Sequence, residues 1–452
     1  MMWSEEHAKS LKIAFDALGG HSVEWMVLRN YEGLPEVNRS KDIDLLMSKK
    51  DFLNVQNILV DSLKREGFTR LKKETFQYVW CLTFFKVTEK QVISIKIDLL
   101  DGFVWKGAQL MHFDKLYQHK VKYKNFYVPS PIDDGFMLWM KPLLTGGFVK
   151  EKYIDDIVQT IKKYPSEFQQ LLEDTFGKKK AKKAWVFLER KELEKTVPMQ
   201  KELCYAAWRK EFGRHPFETL YSTIQHYFKE IIRRSQRPRG SFISVAGPDG
   251  VGKSTFIELL EKELTEVFVK ESSDIKVVHF RPKMIPNLKK LFGGKKYDES
   301  KEEFTNPHRA KPVGGMNALA RLTYYWVDYV LGYWLKTRRK CANGQIYIFD
   351  RYFYDFIIDP FRSRIKLPEW IRLTYWNFTP KPDIIFFLEC DAEIIYKRKQ
   401  ELTLEEIDRQ LDRYRKLAST STKFIILDAC NTPDEICLDA VRNILEISTQ
   451  KI

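Results

Sequence analysis

Residues 247–254 read Gly247-Pro-Asp-Gly-Val-Gly-Lys-Ser254. The spacing fits G-x-x-x-x-G-K-[ST], a loop whose backbone N–H groups close around phosphate oxygens. Gly247, Gly250 and Gly252 supply the freedom that this wrap requires, and Asp249 lies among them. Lys253 would reach the outer phosphates of a nucleoside triphosphate such as ATP. Ser254, followed by Thr255, would offer a hydroxyl to Mg²⁺.

Two flanking elements must hold that loop. Residues 241–246 are an apolar run and predict a short buried strand; residues 255–262 predict an amphipathic helix. The helix N-terminus would then lie beneath the anion.

A second chemical signal follows another predicted strand, 345–349. Asp350-Arg351-Tyr352 stands at its end, where open parallel sheets bind ligands. Asp350 would hold the Mg²⁺ shell and Arg351 would face transferred phosphate. A third strand, 383–388, precedes Lys397-Arg398-Lys399. Thr403-Leu-Glu-Glu406 reads as a capping box opening a helix with Arg409 and Arg413 one turn apart. This basic stretch suits a lid that brings cations to phosphate, with Arg398 in the leading role. A last strand, 423–427, leads into Asp428-Ala429.

These residues resemble thymidylate kinases over the whole C-terminal region. The resemblance rests on the loop 247–255, Asp350-Arg-Tyr352, Pro382-Asp383, the Lys397-Arg398 lid and Asp428-Ala429. It implies a phosphotransferase in which Asp249 accepts a hydrogen bond from an acceptor sugar hydroxyl. Two segments depart from the pattern. Where thymidylate kinases carry a T-R-E-P-G-type stretch, this chain has His279-Phe-Arg-Pro-Lys-Met284. Their Y-Q pair is replaced within Tyr354-Asp-Phe-Ile-Ile-Asp-Pro-Phe-Arg362. Arg281, Lys283, Asp355, Asp359, Arg362 and Arg364 are therefore candidates for a different, anionic or sugar-containing acceptor. If helical, Asp355, Asp359 and Arg362 share a face. An aromatic helix over 322–334 adds Arg321 and Asp328 as acceptor contacts. The combination resembles kinase-like proteins of surface-polysaccharide gene clusters, whose acceptors are sugars or lipid-linked glycans. An ATP-hydrolysing switch or assembly factor is the alternative, and nucleic-acid binding through basic patches is a third.

A separate constellation lies near the N-terminus. Asp42-Ile-Asp-Leu-Leu46 alternates with period two, so Asp42 and Asp44 share a face. Ser94-Ile-Lys-Ile-Asp98 alternates likewise and brings Asp98. Three carboxylates on adjacent strands suit divalent metal. The D-x-D with a later strand aspartate resembles polymerase β-type nucleotidyltransferases over about the first 100 residues. Their glycine–serine turn is absent; Arg29 and Asn30 stand there.

The fold expected is α/β and multidomain. An α+β nucleotidyltransferase-like domain (1–128) and a helical linker domain (129–237) precede a parallel-sheet kinase domain (238–452). Residues 237–240 form the last linker, and 293–312 form a long loop. The 452 residues carry a net charge of +15, which points to anionic partners. Residues 177–183, five of them lysine, and the basic amphipathic stretch 216–234 suit a membrane surface or another anionic partner. Six cysteines without a C-x-x-C pair predict no disulfide framework and a reducing, cytoplasmic setting. Signal-like and membrane-spanning runs are lacking, which leaves soluble or peripheral placement. A dimer is compatible with this pattern.

Overall fold

The computed structural model describes residues 3–38, 40, 42–76, 78–235, 240–268, 274–286, 313–360 and 362–450. Most of the expected linker 237–240 and the expected loop 293–312 lie outside them. The chain divides into two compact units, Met1–Ile232 with Ser448–Ile452, and Arg233–Ile447.

In the first unit, five strands form one mixed sheet: β1 (Trp25–Leu28), β2 (Ile43–Met47), β3 (Thr69–Phe76), β4 (Val79–Val87) and β5 (Val92–Leu100). Their order is β1-β2-β5-β4-β3. Only β2 and β5 run parallel, and their register sets Asp44 beside Asp98. Helices Glu5–Gly19 and Phe52–Arg65 supply Leu11, Phe15, Phe52 and Leu59 to one apolar layer with Leu45, Ile95 and Ile97. The helices from Pro131 to Arg214 do not build a core of their own. Phe136, Trp139 and Phe168 share a cluster with Met26, Leu46 and Leu100 of the sheet. Helix Pro131–Gly146 starts at Ser130, whose hydroxyl accepts the Asp133 N–H, and ends at the left-handed Gly147.

The second unit holds a wholly parallel sheet: β6 (Phe242–Ala246), β7 (Ile275–His279), β8 (Ile346–Asp350), β9 (Ile384–Glu389) and β10 (Phe424–Asp428). The order is β7-β8-β6-β9-β10. Every residue of the central β6 is buried, as covering both faces of a parallel sheet demands. Its one polar side chain, Ser244, meets the Tyr354 hydroxyl at 2.7 Å. From β6 the chain runs out to β7; from β8 it crosses back over β6 to β9. That reversal opens a crevice at the C-terminal strand ends.

Three expectations need correction. Cys390 and Cys430, which follow β9 and β10, form a disulfide with Cα atoms 5.3 Å apart, although no disulfide framework is expected from the cysteine spacing. Parallel pairing of β9 and β10 brings together cysteines 40 residues apart. Asp355, Asp359 and Arg362 do not share a helical face, because helix Asp355–Ile358 stops before Pro360. Asp328 is not an open acceptor contact: it is fully buried and serves the backbone, as described below.

Candidate functional site: a phosphate loop and a carboxylate cluster

The loop after β6 has the geometry its glycines allow. Gly247, Gly250 and Gly252 take φ of 145°, 91° and 105°, which disfavour any side chain. A Cβ at Gly250 would meet the Lys399 Cβ at 2.9 Å, so the basic stretch after β9 lies against the loop. Helix Lys253–Val267 begins directly beneath. Ser254 and Thr255, in its first turn, are exposed. Lys253 is buried, and its ammonium donates to the carbonyls of Gly247 (2.9 Å) and Pro248 (2.6 Å). Burial, with Arg351 nearby, brings its pKa down to about 7 against the pull of Asp249.

Asp350 ends β8, level with Val245 of β6 and His279 of β7. One carboxylate oxygen lies 3.2 Å from His279 Nδ1; the other, Oδ1, is buried without a hydrogen-bond partner. A buried oxygen left open, on a carboxylate near enough to act on the Lys253 charge, fits a divalent cation.

Arg351 adopts φ of 70° and turns its guanidinium inward. It pairs with Asp249 and, at 2.8 Å, with Asp355. Arg362 Nη1 donates to the other Asp249 oxygen at 2.5 Å. Asp249 is thus the hub of a two-arginine network, and burial is outweighed by Arg351 and Lys253, which hold its carboxyl well below the usual range. Arg398, at the end of helix Ala392–Arg398, donates to the Ala429 carbonyl at 3.1 Å. Thr403 caps the next helix, but the Glu406 side chain turns to Arg409 and Gln410 rather than completing the box. Arg413 donates to the Ile358 carbonyl at 2.9 Å.

The segment after β7 is fixed by Asp328. Its carboxylate accepts the N–H groups of Lys283 (3.2 Å), Met284 (2.6 Å) and Ile285 (2.9 Å), with Arg281 3.5 Å away. A Cβ at Gly332 would strike Pro282 at 2.2 Å, so this glycine permits the close approach. The Arg281 and Arg321 guanidinium groups lie 5.5 and 5.9 Å from the Tyr325 ring centre. Tyr325 in turn stacks on Phe356.

In the first unit, Asp42, Asp44 and Asp98 offer carboxylate oxygens all within 4.8 Å of one another. Asp42 stands one residue ahead of β2; Asp44 and Asp98 are register partners. Asp98 Oδ1 is buried without a partner, so the donor set fits a divalent cation. Three cations face the same carboxylates. Arg29 Nε donates to Asp44 at 2.6 Å, and Lys96 Nζ lies 3.5 Å from Asp42 and 3.7 Å from Asp98. Lys141 is the third; burial holds its pKa below the ordinary value while Asp44 opposes that shift. Burial pushes the Asp98 carboxyl up to about 6 against the pull of Lys96, and Asp44 and Asp42 add to the rise. Arg29 and Asn30 take φ of 46° and 52°, the conformation a glycine turn would use. Their side chains are engaged, with Tyr153 donating to Asn30 Oδ1 at 3.1 Å.

Sequence reasoning missed the parts played by Lys96, Lys141, His279 and Tyr325. Lys96 was within reach, since it lies two residues from Asp98 on one strand and so on the same face. Lys141, on a helix far along the chain, left no local signal.

Residues 221–355 match the KAP family P-loop domain, a span that takes in β6, the glycine loop and β8. No curated protein matches the chain. Among solved structures, thymidylate kinase from Ehrlichia chaffeensis aligns at 16% identity and a TM-score of 0.31, covering 46% of this chain and 100% of that one. The parallel sheet, the glycine loop and the family match together give the second unit a P-loop NTPase fold.

Proposed function

We propose that the second unit binds ATP with Mg²⁺ and transfers the γ-phosphoryl group to an anionic or sugar-containing acceptor. The observation that carries this reading is the open Asp350 oxygen beside the Lys253 loop. Ser254 and Asp350 would hold Mg²⁺, which draws negative charge from the phosphate oxygens when bound. Lys253 would leave its two carbonyl partners for the phosphates. In the transfer, the bond from the γ-phosphorus to its bridging oxygen breaks, a bond to the acceptor oxygen forms, and the nucleoside diphosphate leaves. Arg398 and Lys399 would add cationic charge from the lid. Arg281 and Arg321 flank Tyr325 and would orient an anionic acceptor. Arg351 and Arg362 act differently: bound to Asp249, they stiffen the loop. The test is transfer of label from γ-labelled ATP across nucleoside monophosphates, sugars and glycan fragments. Hydrolysis at the same rate with every acceptor absent would refute transfer. It would favour the ATP-hydrolysing switch, which the KAP likeness accommodates equally well. Efficient phosphorylation of dTMP would overturn the different-acceptor reading.

A second reading concerns the first unit. The open Asp98 oxygen among three carboxylates favours a divalent metal site and, with it, nucleotidyl transfer. Manganese binding by the full chain without nucleotide tests it. No binding, or binding unchanged in Asp44→Asn, would refute it.

A further inference from the structure

Helix Pro216–Ser235 takes no part in either cluster, and its residues through Ile232 belong to the first unit. It is fastened there by its polar side. Trp208 Nε1 donates to Thr223 Oγ1 at 3.0 Å, and Thr223 Oγ1 donates to the Lys106 carbonyl at 3.1 Å. A Cβ on Gly107 would meet the Thr223 nitrogen at 2.4 Å, so a hairpin turn presses on the helix backbone itself. Thr219 and His226 are buried on the same side, and His226 stacks on Tyr78. These three anchors recur at i, i+4 and i+7, one helix face.

The opposite face is apolar and uncovered. Phe217, Tyr221, Ile224, Phe228 and Ile231 follow one another at spacings of four and three, with exposures of 86, 65, 60, 62 and 65%. An ordinary surface helix buries such a stripe and shows its polar side to water. This one is reversed. A continuous apolar face of this length marks an interaction surface.

We propose that this face binds the interfacial layer of a membrane with anionic headgroups. The charge around it selects that partner. In sequence the stretch Lys229-Glu-Ile-Ile-Arg-Arg234 carries three basic residues to one acidic. Neighbouring helix Gln200–Arg214 carries exposed Lys201 and Arg209 near the side bearing Trp208, with Tyr205 64% exposed between them. Glu218 lies at the far, N-terminal end of the helix. Aromatic rings with a basic fringe are what an interfacial helix presents to lipid. No helix among the described residues is long and apolar enough to cross a bilayer, so the helix would lie along its surface.

The test uses the full-length chain and vesicles of phosphatidylcholine, with and without phosphatidylglycerol. Sedimentation with the anionic vesicles is expected. Ile224→Glu with Phe228→Glu should reduce partitioning roughly ten-fold or more. Arg233→Gln with Arg234→Gln should reduce it several-fold and flatten its salt dependence. Ile224 and Phe228 are remote from the buried anchors, so with their substitution the thermal melt and ATP affinity should stay unchanged. Absence of sedimentation with either vesicle overturns the proposal. If light scattering then shows a dimer that Ile224→Glu with Phe228→Glu dissociates, the face belongs to a second copy. A monomer that ignores vesicles assigns it to the chain's own interior. Binding equal with and without phosphatidylglycerol overturns the charge argument.

Discussion

Both units collect carboxylates and cations around the end of a parallel strand pair, and they use those charges in opposite ways. At the glycine loop the unfilled groups are the ones a ligand would take. Asp350 Oδ1 has no partner, Ser254 and Thr255 are exposed, and Lys253 rests on two backbone carbonyls. In the first unit the three carboxylates already face Arg29, Lys96 and Lys141, and one buried oxygen, Asp98 Oδ1, is left open. The first arrangement leaves polar groups without protein partners. The second is close to neutral by itself. Strand register brings acidic side chains together in both; the cations contributed by neighbouring elements decide how much room is left for a ligand.

The largest effect should come from the loop. Lys253→Ala removes the loop's own ammonium and should cut ATP turnover by about 10²- to 10³-fold. Steady-state turnover is the measurement, and near-normal rates would detach the loop from the chemistry. Asp350→Asn should come next, with a loss of about 10- to 100-fold in Mg²⁺-dependent turnover. Because the amide keeps the size of the carboxylate and the contact to His279, nucleotide binding without Mg²⁺ should change little. An equal loss with and without the metal would give Asp350 a structural role.

These two sites were not equally legible in the sequence. Strand, loop and helix at 241–267 are contiguous, so motif and flanking pattern sufficed to place them. Asp42, Asp44 and Asp98 were readable too, because alternation on two strands fixes their faces. What escaped was whatever depends on a distant partner. Asp328 reads as a polar residue in an aromatic helix, yet it holds three N–H groups more than 40 residues away in sequence. Arg351 follows a strand end as a phosphate ligand would, but its left-handed backbone turns it to Asp249 and Asp355. The Cys390–Cys430 pair depends on which strands are neighbours, which spacing along the chain cannot say.

The comparison sharpens if the first unit's built-in charge is removed. Lys96→Met deletes the cation between Asp42 and Asp98 while keeping its aliphatic length. With less competition for the carboxylates, manganese affinity should rise roughly ten-fold, measured without nucleotide in the Lys253→Ala background. Unchanged affinity would mean that Lys96 is not what limits the site. Asp44→Asn in the same background should weaken binding instead, since Asp44 sits directly beside Asp98 in the register.

A further effect is a pH dependence of stability. Burial, aided by Asp44 and Asp42, raises the Asp98 carboxyl from 3.8 to about 6. The folded chain therefore prefers Asp98 protonated. A raised pKa contributes stability that is full below the unfolded value and is lost as pH climbs through the folded one. The first unit should accordingly become less stable from about pH 4 to about pH 6, by at most about 3 kcal/mol. Asp98→Asn does not titrate there, so its denaturation midpoint should fall less over the same interval. Denaturant melts of both chains across that interval make the measurement. Parallel pH profiles would mean that Asp98 ionises as easily folded as unfolded, with Lys96 fully offsetting its burial. The self-neutralised description of this cluster would then be complete, and the open oxygen would no longer argue for a metal.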